Sequence, residues 1–82
     1  MEERIGSILI IVEQKDEVMK LNQIISDHSQ IIIGRQGIQL KEKGKSIISL
    51  VLEGTTDQLG SLSGQLGMLK GIQVKSMVIK SN

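Results

Sequence analysis

The sequence predicts an α+β fold: a four-stranded antiparallel sheet with two helices on one face. Two observations carry this prediction. Runs of apolar and β-branched residues occur at four places in the 82-residue chain, as expected of strands. Two stretches with helical spacing of apolar residues separate them in the order β-α-β-β-α-β. Because crossover connections are right-handed, this order places both helices on the same side of the sheet.

The first strand and the first helix are predicted from the opening third of the chain. Ile5–Val12 is apolar at almost every position, which is typical of a strand buried on both faces. Asp16 is a suitable N-cap for a helix that continues to about His28. Apolar residues recur within it at near-helical spacing: Val18, Leu21, Ile25.

A β-hairpin is predicted in the middle of the chain. Ile31–Leu40 has strand character, interrupted by Gly34 and Gly37. The charged segment Lys41–Lys45 predicts a turn, and Ser46–Leu52 predicts the returning strand. A glycine inside a strand indicates a bulge or a close backbone approach.

The last third predicts a helix followed by a strand. Thr55 and Gln58 have the spacing of a capping box. Gly71 ends the helical region, Ile72–Ile79 predicts the fourth strand, and residues 80–82 are expected to fray. One apolar stripe marks the helix: Leu59, Leu62, Leu66, Leu69. The complete order is that of the ferredoxin-like, split βαβ fold.

The composition excludes several classes of function. The chain has no Cys, Phe, Trp, Tyr or Pro, one His, and a net charge of +1. Disulfides and thiol chemistry are therefore excluded, no aromatic ring is available to stack on a nucleic-acid base, and no strong field attracts DNA or anionic membrane. The longest apolar run is too short to span a bilayer. We expect a cytoplasmic protein that is not an enzyme and needs no cofactor, since no catalytic residues are recognisable.

The strands predict that the protein associates with itself. Two helices cover only one face of a sheet, yet Ile8–Val12 and Ile47–Leu52 place large apolar groups on both faces. The uncovered face then favours a partner, and we expect a homodimer or tetramer assembled through the sheet. The alternative is a monomer with an apolar outer face.

Two glycine-containing segments are candidate ligand sites. In Gly34–Gly37, Arg35 lies between two glycines, where its guanidinium could bind a carboxylate or phosphate or remain solvated or bridge subunits. The second helix carries Gly60, Gly64 and Gly67 along one face, with Ser63 beside them. Each interior glycine costs about 1 kcal/mol relative to Ala. Either close packing or contact with a ligand or subunit would offset this loss of helix stability.

Other polar residues favour ordinary structural roles. His28 at the end of a helix is expected to act as a cap or dipole partner rather than as a metal ligand. The alternating charges of Lys41–Lys45 suggest a solvated turn rather than a nucleic-acid contact.

Several segments together resemble the iron-only hydrogenase system regulators. The resemblance covers about residues 5–79 and combines Gly-Arg-x-Gly with Ser-Gly-x-Leu-Gly. The segments that carry it are 34–38, 47–52, 54–57, 62–67 and 71–76.

This resemblance implies one ACT-like domain over residues 1–82, with an ordered core of about 5–79 and no DNA-binding arm. It is related in fold to the ligand-binding domain of the nickel-responsive repressor. ACT-like domains bind small effectors at subunit interfaces, so the resemblance implies a regulatory or sensor domain linked to iron-only hydrogenase maturation. A small anionic effector is expected near Arg35. The candidate ligand-binding residues are Gly34, Arg35, Gly37, Ser63, Gly64 and Gly67.

Two alternatives remain open: a structural or protein-interaction module without a small ligand, and a metal-responsive sensor. The sequence departs from the family at Gln65, where lysine is common, and near Gln36 and Gln39, where Met and Pro are common. The nickel-responsive repressor binds its metal through several His and a Cys. With His28 alone, nickel binding is not carried over to this chain.

Overall fold

The computed structural model describes residues 3–79, and its elements follow the predicted order. The four strands form one antiparallel sheet of order β2-β3-β1-β4, with two helices between them in the chain. The α+β, ferredoxin-like prediction is therefore confirmed. The strands are β1 (Glu3–Val12), β2 (Ile32–Leu40), β3 (Lys45–Thr55) and β4 (Ile72–Ile79), and the helices are α1 (Val18–Asp27) and α2 (Thr56–Gly67). The prediction for residues 80–82 lies outside the described residues.

The core lies between the sheet and the two helices. Three residues of the predicted leucine stripe are buried in α2, whereas the fourth, Leu69, lies beyond the end of the helix and is partly buried. Helix α1 supplies Leu21 and Ile25. Fully burying such a side chain stabilises the fold by roughly 1.5–3 kcal/mol, so this layer dominates stability. The buried apolar residues are Ile8, Ile10, Val12, Leu21, Ile25, Ile31, Leu50, Leu52, Leu59, Leu62, Leu66 and Ile72.

The capping box at the start of α2 is confirmed. The Thr55 hydroxyl accepts a hydrogen bond from the backbone N–H of Gln58 at 3.2 Å. The Gln58 side-chain oxygen in turn accepts one from the backbone N–H of Thr55 at 2.9 Å. Two N–H groups that the helix leaves unpaired are thereby satisfied.

The start of α1 differs from the prediction. A short 3-10 turn at Lys15–Glu17 precedes α1, and no side chain caps it, so the prediction of Asp16 as N-cap is wrong. Tertiary contacts hold this end instead. The Glu17 carboxylate accepts a hydrogen bond from the backbone N–H of Lys70, and the carbonyl of Gly71 accepts two from the loop after β1.

One face of the sheet is not covered by the helices, and we call it the open face. Leu9 lies on it and is 46% exposed, whereas its neighbours Ile8 and Ile10 are buried. The expectation that β1 is buried on both faces is therefore wrong for the single chain. By strand register, the open face contains Ile5, Ser7, Leu9, Ile11, Gly34, Gln36, Ile38, Ile47, Ser49, Val51, Glu53, Gln73, Lys75, Met77 and Ile79.

Neither helix in residues 3–79 has the length and apolar character required to cross a membrane.

Candidate functional site

Two neighbouring pockets that share Asn22 lie between α1 and the edge strand β2, and we call them together the α1–β2 groove. Its larger part has a volume of about 460 Å³, which is within the usual range for small-molecule sites. Its smaller part measures about 340 Å³ and is lined by residues around Arg35. Asn22 lines both parts. The full lining comprises Val12, Lys15, Val18, Leu21, Asn22, Ile25, Ser26, Ser29, Ile32, Arg35, Gly37, Ile38, Gln39, Ser46, Ile47 and Ile48.

A β-bulge in β2 determines which face of the sheet the candidate residue Arg35 lies on. The pairing register with β3 shifts between Ile32 and Gly34, which confirms the irregularity expected from the glycines. Beyond the bulge, Arg35 pairs with Leu50, whose side chain is buried beneath the helices. Because strand side chains alternate between faces, an unbroken register would place Arg35 on the open face. The bulge therefore brings Arg35 to the helix side of the sheet.

Gly37 provides open space in the wall of the groove. It pairs with Ile48 on the helix side, two residues beyond Arg35. A Cβ atom added to Gly37 would meet no described heavy atom within 4 Å. The glycine therefore leaves bare backbone beside the apolar side chains of α1.

The charges lining the groove all have one sign. Lys15 lines the larger part and Arg35 lines the smaller part. The remaining polar lining residues are uncharged, and no Asp or Glu is among the lining residues. Such a groove favours an anionic ligand over a cationic one.

The α2 candidates lie in a different place from those of β2. Ser63 donates a hydrogen bond from its hydroxyl to the Ser76 hydroxyl at 3.2 Å, and Ser76 belongs to β4, at the opposite edge of the sheet from β2. Added Cβ atoms at Gly60, Gly64 and Gly67 would meet no described atom within 4 Å. Close packing within the chain therefore does not explain this glycine stripe.

A family model described as "Iron-only hydrogenase system regulator, putative", the TM1266-like family, matches residues 4–76. The chain belongs to this family. The predicted resemblance is thus confirmed over most of its length.

One solved structure agrees with this assignment, and two others share the fold. The uncharacterized protein TM1266 from Thermotoga maritima is 32% identical, with a TM-score of 0.90 over 96% of this chain and 100% of its own. An unknown protein from Galdieria sulphuraria has 10% identity and a TM-score of 0.64, covering 99% of this chain and 48% of its own. The de novo designed protein Foldit4 has 12% identity and a TM-score of 0.59, covering 99% and 100%. The latter two show the fold alone. No curated protein matches the chain.

His28 has the structural role that was expected of it. It is the C-cap of α1, and its Nδ1 lies 2.7 Å from the carbonyl oxygen of Ile24. Its Nε2 lies 3.3 Å from the Ser61 hydroxyl, which joins the two helices. Within residues 3–79, no group of three or more His, Asp or Glu side chains is placed to hold a metal ion.

Two carboxylates hold neighbouring elements together. Glu13 accepts a hydrogen bond from the Gln73 amide at 2.7 Å and pairs with Lys45 at 3.3 Å. These contacts, with that of Gln73 first, hold the pKa of Glu13 below its ordinary value. The pKa of Glu17 is also lowered, first by the backbone N–H of Lys70 and then by Lys20, which lies 3.1 Å away. Both groups stabilise the structure in their charged form.

The sequence analysis missed the contribution of α1 to the groove. Asn22 and Ser26 are four residues apart on one side of α1, and Ser29 follows three residues later. The apolar stripe of α1 dominated the prediction, although a polar stripe at the same helical spacing was visible beside it. Nothing in the sequence around Lys15 indicated that it would line a groove.

Proposed function

We propose that this chain is a homo-oligomeric regulatory domain of the iron-only hydrogenase system, which assembles through its open face and binds a small anionic effector. Membership of the regulator family supports the regulatory role. The exposed apolar surface of the sheet is the observation that carries the proposal of assembly.

The open face carries large exposed apolar side chains interspersed with polar ones. Leu9 and Val51, on the two central strands, are 46% and 42% exposed. Ile38, Met77 and Ile79 extend the apolar surface onto both edge strands. So many large apolar side chains exposed on one face favour an interaction site.

A second copy of this chain is the occupant that the charges favour. Glu53 and Lys75 are both exposed on the open face and carry opposite charges. A face with both signs can meet a copy of itself across a two-fold axis, with each charge facing an opposite one. Self-association also offsets the small core available to a chain of 82 residues.

The β2–β3 hairpin connects the proposed interface with the groove. Ile38 and Ile47 pair with each other, belong to the open face by register, and also line the α1–β2 groove. A ligand that contacts this hairpin from the groove therefore acts on residues of the proposed interface. If its affinity differs between assembled and free subunits, binding shifts the oligomer equilibrium.

Light scattering coupled to size exclusion tests the assembly directly. The unmodified protein is expected to be a dimer or a larger oligomer, and Val51→Lys is expected to be a folded monomer because it places a charge in the interface. Met68→Lys is the matched control, since Met68 is 83% exposed and lies beyond the end of α2, away from the open face. A monomeric unmodified protein, or equal effects of both substitutions, would contradict assembly through this face.

The open face also favours a second candidate, a protein-interaction module without a small ligand. That function predicts that a different protein covers Leu9 and Val51, and that the purified chain alone is monomeric.

Metal sensing stays a prediction without a described cluster to support it, and metal analysis after metal-replete purification tests it.

A further inference from the structure

We infer, building on the proposed effector function, that the α1–β2 groove binds a small apolar carboxylic acid and discriminates against the amino acid with the same carbon skeleton. The carboxylate lies at Arg35, and the apolar chain extends past Gly37 toward the α1 side chains.

The Arg35 end of the groove is suited to a carboxylate. Arg35 shares this part of the groove with the uncharged hydrogen-bonding side chains of Asn22, Ser26 and Ser29. Within residues 3–79, no ion pair or hydrogen bond engages its guanidinium. The planar guanidinium can therefore donate two parallel hydrogen bonds to one carboxylate.

The Gly37 end is suited to an aliphatic chain. Val18 and Leu21 of α1 line it from one side, and Ile48 of β3 lines it from another. Arg35 and Gly37 are two residues apart on the same face of a strand, a separation of roughly 7 Å. A chain of five or six carbon atoms spans about that length. The bare backbone of Gly37 allows the chain to pass because no side chain fills the space there.

The absence of acidic lining residues distinguishes an acid from an amino acid. The ammonium group of an amino acid lies next to its carboxylate, and here it would lie beside Arg35. No Asp or Glu lines either part of the groove to compensate that positive charge, and Lys15 adds a second like charge. Repulsion between the ammonium group and these two cations disfavours the amino acid relative to the simple acid.

Calorimetric titration of the full-length protein with 4-methylpentanoate and with leucine tests the discrimination. The two compounds share a carbon skeleton and differ in the ammonium group. We expect 4-methylpentanoate to bind at least tenfold more tightly. In the series hexanoate, pentanoate, butanoate, each lost methylene is expected to weaken binding by about fourfold as apolar burial falls. Equal binding of leucine, or equal binding of sulfate and hexanoate, would overturn the proposed ligand class.

Two matched pairs of variants locate the site. Arg35→Gln is expected to weaken 4-methylpentanoate binding about tenfold or more, whereas Lys70→Gln removes an exposed positive charge that lines neither part of the groove and is expected to leave it unchanged. Gly37→Leu is expected to abolish binding by filling the groove. Gly64→Leu makes the same change at a glycine of α2 that is equally free of neighbours, and it is expected to have no effect.

The opposite outcomes are equally informative. Loss of binding in Gly64→Leu but not in Gly37→Leu would place the ligand on α2 and overturn this assignment. Circular dichroism and thermal melting of each variant establish that it is folded before titration. The Val51→Lys variant separates the two proposals. If Val51→Lys is monomeric, the unmodified protein is an oligomer and no acid binds to it, the ligand assignment fails and assembly stands. If the unmodified protein is monomeric and binds the acid, assembly fails and the ligand assignment stands.

Discussion

The two faces of the sheet are built from similar residues but have opposite environments. Ile8 and Ile10 on the helix side of β1 are 1% and 0% exposed, whereas Leu9 between them is 46% exposed. All three are large and aliphatic, so their hydrophobicity does not account for the difference. The difference arises because α1 and α2 cover one face only. An apolar strand therefore indicates that both of its faces are suited to burial. Its sequence does not indicate which face the helices of the same chain cover.

The largest expected contrast comes from truncating one leucine on each face. Leu62→Ala removes a fully buried side chain and is expected to lower the free energy of unfolding by about 2–5 kcal/mol. Leu9→Ala, made in the monomeric Val51→Lys background, is expected to change it by about 0.5 kcal/mol or less. Urea denaturation measures both. Similar losses in the two variants would show that the open face is covered within the single chain.

Substituting alanine for a glycine beneath the helices and for one on the outer surface of α2 is expected to change the free energy of unfolding in opposite directions. A Cβ at Gly54 would lie 2.8 Å from Oε1 of Gln58 and 2.9 Å from Cγ2 of Ile31, so Gly54→Ala is expected to destabilise by about 1–3 kcal/mol. Gly64→Ala meets open space and is expected to stabilise by up to about 1 kcal/mol. Thermal denaturation compares them. Destabilisation by Gly64→Ala would instead indicate that a subunit packs on α2.

The capping box offers a smaller contrast between adjacent residues. Thr55→Ala removes the hydroxyl that accepts the Gln58 N–H and is expected to cost about 1 kcal/mol. Thr56→Ala is the control, since Thr56 is exposed within the first turn of α2 and is not the cap. Urea denaturation should separate the two, and equal losses would show that the cap contributes little.

The smallest expected effect concerns pH and the loop that Glu17 anchors. Because its pKa is lower in the folded chain than the ordinary 4.5, the charged form adds stability above that value, and this stability is lost as pH falls through the folded pKa. Glu17→Gln is expected to flatten the decline of the melting temperature below about pH 4.5. Glu42→Gln, on the exposed hairpin turn, serves as the control. An unchanged acid profile in Glu17→Gln would show that this contact is not formed in solution.

Much of the fold follows from local pattern in the sequence. The leucine spacing of α2, its capping box and the four apolar strand segments each depend on residues close together in the chain. They were confirmed, except that α2 ends before Leu69. Asp16 shows the limit of that reasoning. Its residue type suits an N-cap, yet α1 is entered through a 3-10 turn fixed by the distant Lys70. A contact between residues so far apart in sequence leaves no local signal.

The candidate site was predictable only in part for the same reason. Arg35 and Gly37 were recognised from two glycines in a strand, but their facing toward α1 depends on the bulge and on pairing with β3. Asn22 joins them only because α1 packs beside β2.

The sequence by itself determined the order of elements, the covered stripe of α2 and the excess of apolar strand surface over what two helices can cover. These depend on periodicity and composition, which act within short segments. Only the tertiary structure decided that the glycine stripe points into open space, that Arg35 lies on the helix side, and that Leu9 rather than Ile8 is exposed. Each of these depends on packing between distant segments, where a register shift of one residue exchanges the two faces of a strand.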